Sequence, residues 1–193
     1  MDRKTLYSGI IGIVVVVMVS TAGLFMNRKP AFSGVDVNPP IPAAEISMTN
    51  TDDNTFQMSD QRGKVVLLYF GFVNCPEECP LTMAHYKLAL ELLGDSAKDV
   101  RVVMVSTDPV RDTPQTMKDY LSKFDPTFIG IPGTPEQLEK IWKGYGVEVL
   151  DGGETHSSYT YVIDRKGRQR VRFTPDSSPE DIASDLRILL AEK

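Results

Sequence analysis

The sequence has few of the residues that bind soft metals or form disulfides. Its 193 residues include two cysteines, Cys75 and Cys79, and two histidines, His85 and His156. A chain of this length can build its own hydrophobic core without disulfide staples. A basic surplus is also lacking, because 26 acidic residues outnumber 21 lysines and arginines and give a net charge of −5. We expect no nucleic-acid partner, and any cysteine–histidine metal site must be drawn from these four side chains.

Charged residues are absent from one long segment, residues 5–26. Its 22 uncharged residues are enough for a bilayer-spanning helix of about 33 Å. Residues 1–29 are therefore predicted to be an N-terminal membrane anchor, or alternatively a cleaved signal peptide. Either interpretation exports the rest of the chain, so we expect a soluble domain on the extracytoplasmic face, periplasmic or outer.

The exported part is predicted to contain a tether and an α/β domain. Four prolines within residues 30–48 favour an extended spacer of moderate stiffness. Over residues 49–193 strand patterns alternate with helical ones. Strands are predicted at 55–58, 64–72, 100–106, 127–131, 147–150, 158–164 and 169–173, and helices at 81–93, 114–124, 135–145 and 179–191. This order, with its terminal hairpin, predicts an α/β, thioredoxin-like fold with a central mixed sheet flanked by helices.

The helix predicted at 81–93 carries a stripe of apolar side chains at helical spacing. The stripe consists of Leu81, Ala84, Leu88 and Leu92. We expect this face to pack on the sheet. His85 lies on the far side of the helix from the stripe and is interpreted as a surface residue.

Both cysteines lie in one short stretch, 70-FGFVNCPEECP-80. The stretch joins the strand predicted at 64–72 to the helix that follows it, and sites of open α/β sheets lie at such junctions. Pro80 is predicted to be the first helical residue, which places Cys79 at the cap or near it, where the helix dipole favours a thiolate. Glu77 and Glu78 oppose that effect by their charge and are interpreted as a solvated loop tip.

Three roles are open to the pair: a structural disulfide, a redox dithiol or a metal clamp. A disulfide across three residues closes a very small loop and would stabilise the fold little. On this topology His156, just before the strand predicted at 158–164, faces the cysteine loop, and the proline expected there in a thioredoxin-like reductant is missing. Two thiolates and an imidazole suit Cu(I), or Cu(II) with an added ligand, whereas zinc normally takes a fourth protein ligand. Met83 could add a thioether, although a core position is favoured.

Three segments resemble the Sco/SenC family, copper-handling proteins with a thioredoxin fold and a membrane anchor. These are 63-GKVVLLYFGFVNCPEECP-80, 106-STDPVRDTP-114 and 156-HSSYTYVID-164, and the resemblance covers about residues 45–190. It implies that Cys75, Cys79 and His156 bind copper. The implied role is a metallochaperone for the binuclear copper centre of cytochrome c oxidase subunit II. The alternative is a thiol-disulfide oxidoreductase, in which Cys75 and Cys79 form the catalytic redox pair that reduces the cysteines of that subunit.

The chain departs from the family pattern around the predicted ligands. The family usually has an aspartate and an apolar residue where this chain has Glu77 and Glu78, and an aspartate where it has Thr155. Family counterparts of Asp108 and Asp112 lie near the site, but here both are interpreted as turn-forming and capping residues before the helix at 114–124.

A peroxidase is the least favoured interpretation. Peroxiredoxins share the fold, but their motif places a proline and a threonine before the reactive cysteine. Leu68 and Phe72 occupy those two positions here. The sequence does not decide between copper binding and thiol reduction, because the same thiolates serve both.

Overall fold

The structure is a computed structural model that describes residues 31–150 and 155–192, and of residues 155 and 156 only the backbone. Within these residues no helix has both the length and the apolar character needed to cross a bilayer. The membrane segment predicted at residues 5–26 lies outside the described part of the chain.

A mixed sheet forms the centre of the fold. The strands are β1 (Val35–Pro42), β2 (Ser47–Thr49), β3 (Thr55–Gln57), β4 (Val65–Gly71), β5 (Val100–Ser106), β6 (Ile129–Ile131), β7 (Val149–Leu150), β8 (Thr155–His156), β9 (Thr160–Ile163) and β10 (Arg168–Phe173). The central sheet has the order β1-β10-β9-β4-β5-β6. Its β4, β5 and β6 are parallel, whereas β9, β10 and β1 pair in antiparallel fashion. The mixed sheet predicted from the strand–helix alternation is therefore present.

Helices cover both faces of the sheet, as predicted. They are α1 (Glu78–Leu93), α2 (Pro114–Leu121), α3 (Pro135–Tyr145) and α4 (Pro179–Ala191). Side chains of β4 alternate between two cores because successive residues of a strand point to opposite faces. Val65, Leu67 and Tyr69 pack with α1, α2 and α4. Val66, Leu68 and Phe70 pack in a second cluster with α3 and the β2–β3 hairpin.

The apolar stripe predicted for α1 is wrong. Leu81, Leu88 and Leu92 are 53%, 46% and 46% exposed. The buried face instead carries Cys79, Thr82, Met83, Tyr86, Ala89 and Leu93. Both stripes have helical spacing, and the one that is buried contains the larger tyrosine and methionine side chains, so it removes more apolar surface from water.

The tether predicted over residues 30–48 is not a free spacer in the structure. Val35–Pro42 form β1, which pairs with β10 at the edge of the sheet. Proline is tolerated in an edge strand because one side of that strand needs no ladder hydrogen bonds. The register of β1 shifts between Asp36 and Ile41, across its first two prolines. A compact unit accordingly begins at Phe32, not at residue 49.

Candidate metal and thiol site

The site lies where β4 and β5 end together, with Gly71 opposite Ser106. This end of the sheet is formed by strand termini and is called the site edge, as distinct from the outer strand β1. Beyond this edge the Thr107 N–H donates to the Gly71 carbonyl at 2.9 Å. Strand β9 runs antiparallel to β4 and pairs Thr160 with Tyr69. The chain before Thr160 therefore leaves the sheet at the same edge as the chain after Gly71. This edge brings together the cysteine loop (residues 72–79), the loop at 107–113 and the segment at 155–159.

The two cysteines differ in burial. Both are free thiols; Cys79 is buried, and Cys75 is partly exposed. The Cys79 backbone N–H donates to the Cys75 sulfur at 3.3 Å, and the Cys75 N–H donates to the Phe72 carbonyl at 3.3 Å. The loop thus presents Cys75 towards solvent and supplies a backbone donor to its sulfur.

Helix α1 begins two residues before Pro80, the residue predicted to open it. Its first residue is Glu78 and its N-cap is Glu77, so Cys79 lies in the first turn, near the cap as predicted but not at it. Pro80 fits in that turn because the first N–H groups of a helix have no intrahelical acceptor, and a missing donor there costs nothing. The shift turns the Cys79 side chain inward, where it joins the core cluster of Tyr69 and Met83.

Burial governs the protonation of the inner thiol. It raises the pKa of Cys79 to about 12, although hydrogen bonds from the Tyr69 hydroxyl and the Phe72 backbone act to lower that pKa. The Tyr69 hydroxyl lies 3.4 Å from the Cys79 sulfur. Loss of hydration therefore outweighs the effect of the helix dipole, and Cys79 is a neutral thiol instead of the predicted thiolate. Binding of a soft metal must displace the proton of Cys79.

The difference between the cysteines predicts their order of alkylation. Iodoacetamide should modify Cys75 well before Cys79, because Cys75 is accessible while Cys79 is buried with a raised pKa. Cleavage after Glu77 or Glu78 separates the two cysteines for mass spectrometry. Equal labelling in denaturant is the control, and faster labelling of Cys79 in the folded protein would contradict the assigned burial.

Asp112 ties the cysteine loop to the end of β5. One carboxylate oxygen accepts the Val73 N–H at 3.1 Å, and the other accepts the Ser106 hydroxyl at 2.7 Å. Burial raises the pKa of Asp112, while the Ser106 and Val73 donors act to lower that pKa. The capping role predicted for Asp112 is wrong, because Thr113 caps α2. The contacts of Asp112 with Val73 and Ser106 were not predicted. The only sequence signal for them was the resemblance of the segment 106-STDPVRDTP-114 to the family.

Asp108 does form a turn, as predicted. Its carboxylate accepts the Arg111 N–H at 3.2 Å and pairs with the Arg111 guanidinium. The guanidinium carbon lies 6.0 Å from the centre of the Phe72 ring. Asp108 therefore holds the loop at 107–113 against the start of the cysteine loop.

Replacing Asp112 by alanine should lower the free energy of unfolding by about 1–3 kcal/mol, because it leaves the buried Ser106 hydroxyl and the Val73 N–H without their acceptor. Denaturant unfolding would measure the loss. Asp119→Ala is the matched control, since Asp119 is exposed on α2. Equal stability of the two variants would show that the Asp112 link contributes nothing.

Gly71 allows β4 to end against the buried thiol. A Cβ atom at this position would lie 2.6 Å from the Tyr69 ring and 2.9 Å from the Cys79 sulfur. These distances are shorter than normal van der Waals contact. The absent side chain therefore leaves the space that Cys79 and Tyr69 occupy.

The two glutamates of the cysteine loop differ. Glu77 is exposed, as predicted for a solvated loop tip, whereas Glu78 is partly buried in the first turn of α1. One Glu78 carboxylate oxygen, Oε1, is buried and has no hydrogen-bond partner among the described residues. The prediction of a solvated loop tip is therefore wrong for Glu78. A carboxylate in the first turn of a helix interacts favourably with the helix dipole.

The two histidines lie on different parts of the fold. The His156 backbone lies in β8 opposite Val149, at the edge that carries the cysteine loop, and its side chain is outside the description. His85 is partly buried, not a surface residue as predicted, and its Nδ1 lies 3.1 Å from the Ser177 carbonyl. Within the described side chains no three His, Cys, Asp or Glu residues are grouped as metal ligands. The three-ligand set of Cys75, Cys79 and His156 stays a prediction.

Known structures are similar to this chain in both fold and sequence. ScoI from Bradyrhizobium japonicum with copper bound is 33% identical, with a TM-score of 0.71, and covers 78% of this chain and 99% of that chain. Apo Sco1 from Thermus thermophilus is 32% identical, with a TM-score of 0.74 and coverage of 83% and 98%. The SCO1/SenC family model matches residues 40–191. The chain belongs to the SCO1/SenC family.

Relatives among curated proteins agree with the family. A SCO2-like protein of Rickettsia felis is 32% identical over 152 residues, which are 74% of each chain. Protein SenC of Rhodobacter capsulatus is 33% identical over 134 residues. The resemblance predicted from the cysteine loop is thus confirmed at the level of the family.

Proposed function

We propose that this SCO1/SenC protein binds copper through Cys75, Cys79 and His156 and delivers it to the binuclear copper centre of cytochrome c oxidase subunit II. One observation carries the proposal: two free thiols and the strand that contains His156 lie at one edge of the sheet. The copper-bound relative from Bradyrhizobium japonicum supports copper as the metal.

The donor set fits the proposed metal. Two thiolates and an imidazole are soft or borderline ligands, which suit Cu(I) and also Cu(II). Cys75 lies at the surface, where a copper ion can enter and leave, and Cys79 anchors the site from the core. The Cys79 N–H and the Tyr69 hydroxyl each donate to a sulfur of the pair. Such donors stabilise negative charge on the ligands.

Transfer of copper to the recipient tests this function. Protein loaded with Cu(I) would be mixed anaerobically with the copper-free soluble domain of subunit II and separated from it by chromatography. We expect copper to move to that domain and to produce the spectrum of a binuclear copper centre after oxidation. Copper that stays on the donor, under conditions where free Cu(I) fills the recipient, would count against delivery.

Thiol reduction of the same recipient is the second candidate, favoured by the asymmetry of the cysteines. Accessible Cys75, with a backbone donor on its sulfur, suits attack on a target disulfide, which would release one target thiolate and form a mixed disulfide. Cys79 would then attack the Cys75 sulfur, releasing the second target thiolate and leaving a Cys75–Cys79 disulfide, so that two electrons pass to the target. This activity needs no histidine, so His156→Ala would keep it and either Cys→Ser variant would lose turnover.

The proposed location is a membrane anchor at residues 1–29 with the α/β domain on the extracytoplasmic face. The apolar run at residues 5–26 supports it. Alkaline extraction of membranes should leave the full-length protein in the membrane fraction. Release into the supernatant would contradict the anchor and favour a cleaved signal peptide.

A further inference from the structure

A groove of about 520 Å³ opens at the site edge, just beyond the end of β6. Its volume falls within the range of ligand-binding clefts. Its walls come from the turn between β2 and β3, the loop at 107–113 and the start of α3. Asp112 lines the groove and also accepts the N–H of Val73, two residues before Cys75. The groove and the cysteine loop are therefore neighbours that share the loop at 107–113.

The turn between β2 and β3 is fixed to its surroundings. The Thr51 N–H donates to the Gly130 carbonyl of β6 at 3.0 Å. The Asp52 carboxylate pairs with Lys118 of α2 at 2.9 Å. Because these contacts hold the wall in place, a molecule that enters the groove would meet a preformed surface and pay little to order it.

Asn50 places an unpaired donor in this wall. Its side chain is 8% exposed and lines the groove. The side-chain oxygen accepts the N–H groups of Asp52 and Asn54 at 2.9 and 3.1 Å, whereas the amide nitrogen, Nδ2, donates to none of the described residues. A buried amide normally has partners, because an unpaired donor forfeits its hydration. The free donor suits a carbonyl oxygen supplied by a bound molecule.

The charge of the groove favours a cation. None of the described residues that line it is a lysine, arginine or histidine. Asp53 lies at the exposed rim and forms no ion pair with the described residues. The carboxylate of Glu136 stands at the opposite wall, where it accepts the hydroxyl of Thr134 at 2.8 Å. A positively charged group would find carboxylates here and no competing cation.

The two helices that begin at the groove do not make it an anion site. Both α2 and α3 open on a proline, which has no N–H. At each N-cap the threonine side chain accepts the N–H of the third helical residue. The helix ends that could attract an anion therefore retain few free donors.

Prolines also give the groove an apolar lining. Four of them contribute to the walls: Pro109, Pro114, Pro132 and Pro135. The stems of lysine and arginine lie readily along apolar surface while the charged end reaches a polar group. The groove thus combines an apolar path, a carboxylate at its rim and an amide donor in its wall.

We propose that this groove docks a segment of the recipient protein that carries a lysine or arginine. The basic side chain would reach Asp53, and a backbone carbonyl of the segment would accept the Asn50 amide N–H. A protein is the occupant because the groove adjoins the cysteine loop, where both copper delivery and thiol exchange require a protein to dock. The inference rests on the proposed function and adds the chemistry of the docking segment.

Peptide binding to the full-length protein tests the docking chemistry without copper. The probe is acetyl-Ala-Ala-Lys-Ala-Ala-amide, titrated into ¹⁵N-labelled protein in detergent micelles and followed by NMR. Matched peptides carry glutamate or norleucine in place of the lysine. The side-chain amide of Asn50 reports directly on the proposed hydrogen bond, and the backbone amides of Gly133 and Gln137 report on the groove.

The lysine peptide should move the Asn50 side-chain proton downfield and shift the groove amides, and added salt should weaken its binding. The norleucine peptide should bind about threefold more weakly and the glutamate peptide more weakly still, as expected for an exposed ion pair. Equal binding of the glutamate peptide, or an Asn50 amide that does not move, would overturn the proposal. Binding of n-butylammonium as tight as that of the lysine peptide would overturn the assignment to a protein segment.

Asp53→Asn is the matched substitution, because asparagine keeps the size of the side chain and tolerates the left-handed backbone at this position, where φ is 58°. It should weaken the lysine peptide about threefold and leave the norleucine peptide unchanged. Asp95→Asn makes the same charge change at an exposed residue that does not line the groove, and it should bind both peptides like the wild type. Equal peptide affinities in the two variants would remove Asp53 from the site.

Copper transfer separates this inference from the proposed function. Asp53→Asn should keep the wild-type Cu(I) affinity and slow transfer to the recipient domain about threefold at limiting protein concentration. A wild-type protein that transfers no copper but binds the lysine peptide at the groove would refute delivery and leave the binding chemistry supported. Wild-type transfer by an Asp53→Asn protein with weakened peptide binding would overturn the docking role.

Discussion

Cys79→Ser should lower the affinity for Cu(I) by about 100-fold or more, because loss of a proposed direct ligand should cost more than the 10–100-fold typical of an outer-shell partner. A serine hydroxyl is a hard donor that stays protonated at neutral pH, so it does not replace a thiolate on a soft ion. Cys75→Ser should have a similar effect for the same reason. Anaerobic chelator competition measures both variants.

Met83→Leu is the matched control for this prediction. Met83 is fully buried on the same helix, in the same core cluster as Cys79, and leucine conserves its volume. The control should keep the wild-type Cu(I) affinity, in line with the core position favoured for Met83. Wild-type affinity in folded Cys79→Ser would remove Cys79 from the site, and a large loss in Met83→Leu would place the thioether in it.

Gly71→Ala should lower the free energy of unfolding by about 1–3 kcal/mol, the usual cost of overpacking a buried position. The added methyl would press on the Tyr69 ring and the Cys79 sulfur, 2.6 and 2.9 Å from the new carbon. The entropic gain from removing a glycine, about 0.4–1 kcal/mol, offsets only part of this. Because the strain falls on a proposed ligand, we also expect about 10-fold weaker Cu(I) binding.

Gly133→Ala separates the two effects of the Gly71 substitution. A Cβ atom at Gly133 would meet Met48 at 2.7 Å and Leu138 at 3.2 Å, and both side chains belong to the second core cluster. This control should lose less stability, because the closest contact is with the end of the flexible Met48 side chain, which can move aside, and it should keep the wild-type copper affinity. If Gly71→Ala also kept that affinity while losing stability, Gly71 would matter for packing alone.

Local signals in the sequence were sufficient to predict several elements. Helix α3 spans Pro135–Tyr145 as predicted, because Thr134 and Gln137 form a capping box at its start and Gly146 ends it in a left-handed conformation. Helix α4 likewise begins after its predicted cap, Ser178. The continuous apolar run of β4 is buried on both faces, as a central strand requires.

Contacts between distant parts of the chain were not readable in the same way. Strand β1 forms only because β10, more than a hundred residues later, offers an unpaired edge. A proline-rich segment contains no local signal for such a partner. The buried face of α1 depends on which of two apolar stripes meets the sheet. That choice is made by tertiary packing, since periodicity alone allows both.

The same distinction between local signals and distant contacts applies to the candidate site. The sequence places Cys75 and Cys79 at a strand–helix junction, and the structure agrees. Asp112 contributes through a contact with Val73, which lies far from it along the chain, and spacing does not reveal that contact. The predicted thiolate at Cys79 was wrong because burial, a tertiary property, outweighs the helix terminus.

Copper binding by His156→Ala tests the central claim most directly, with His85→Ala as the control because His85 contacts the Ser177 carbonyl instead. Anaerobic Cu(I) competition and aerobic Cu(II) titration would be run on both variants beside the wild type. The three-ligand site predicts equimolar copper on the wild type and on His85→Ala. It also predicts that His156→Ala binds copper at least about 10-fold more weakly than the wild type, which corresponds to about 1.4 kcal/mol. The charge-transfer band of this variant should be altered. Wild-type affinity and an unchanged band in His156→Ala would contradict the site.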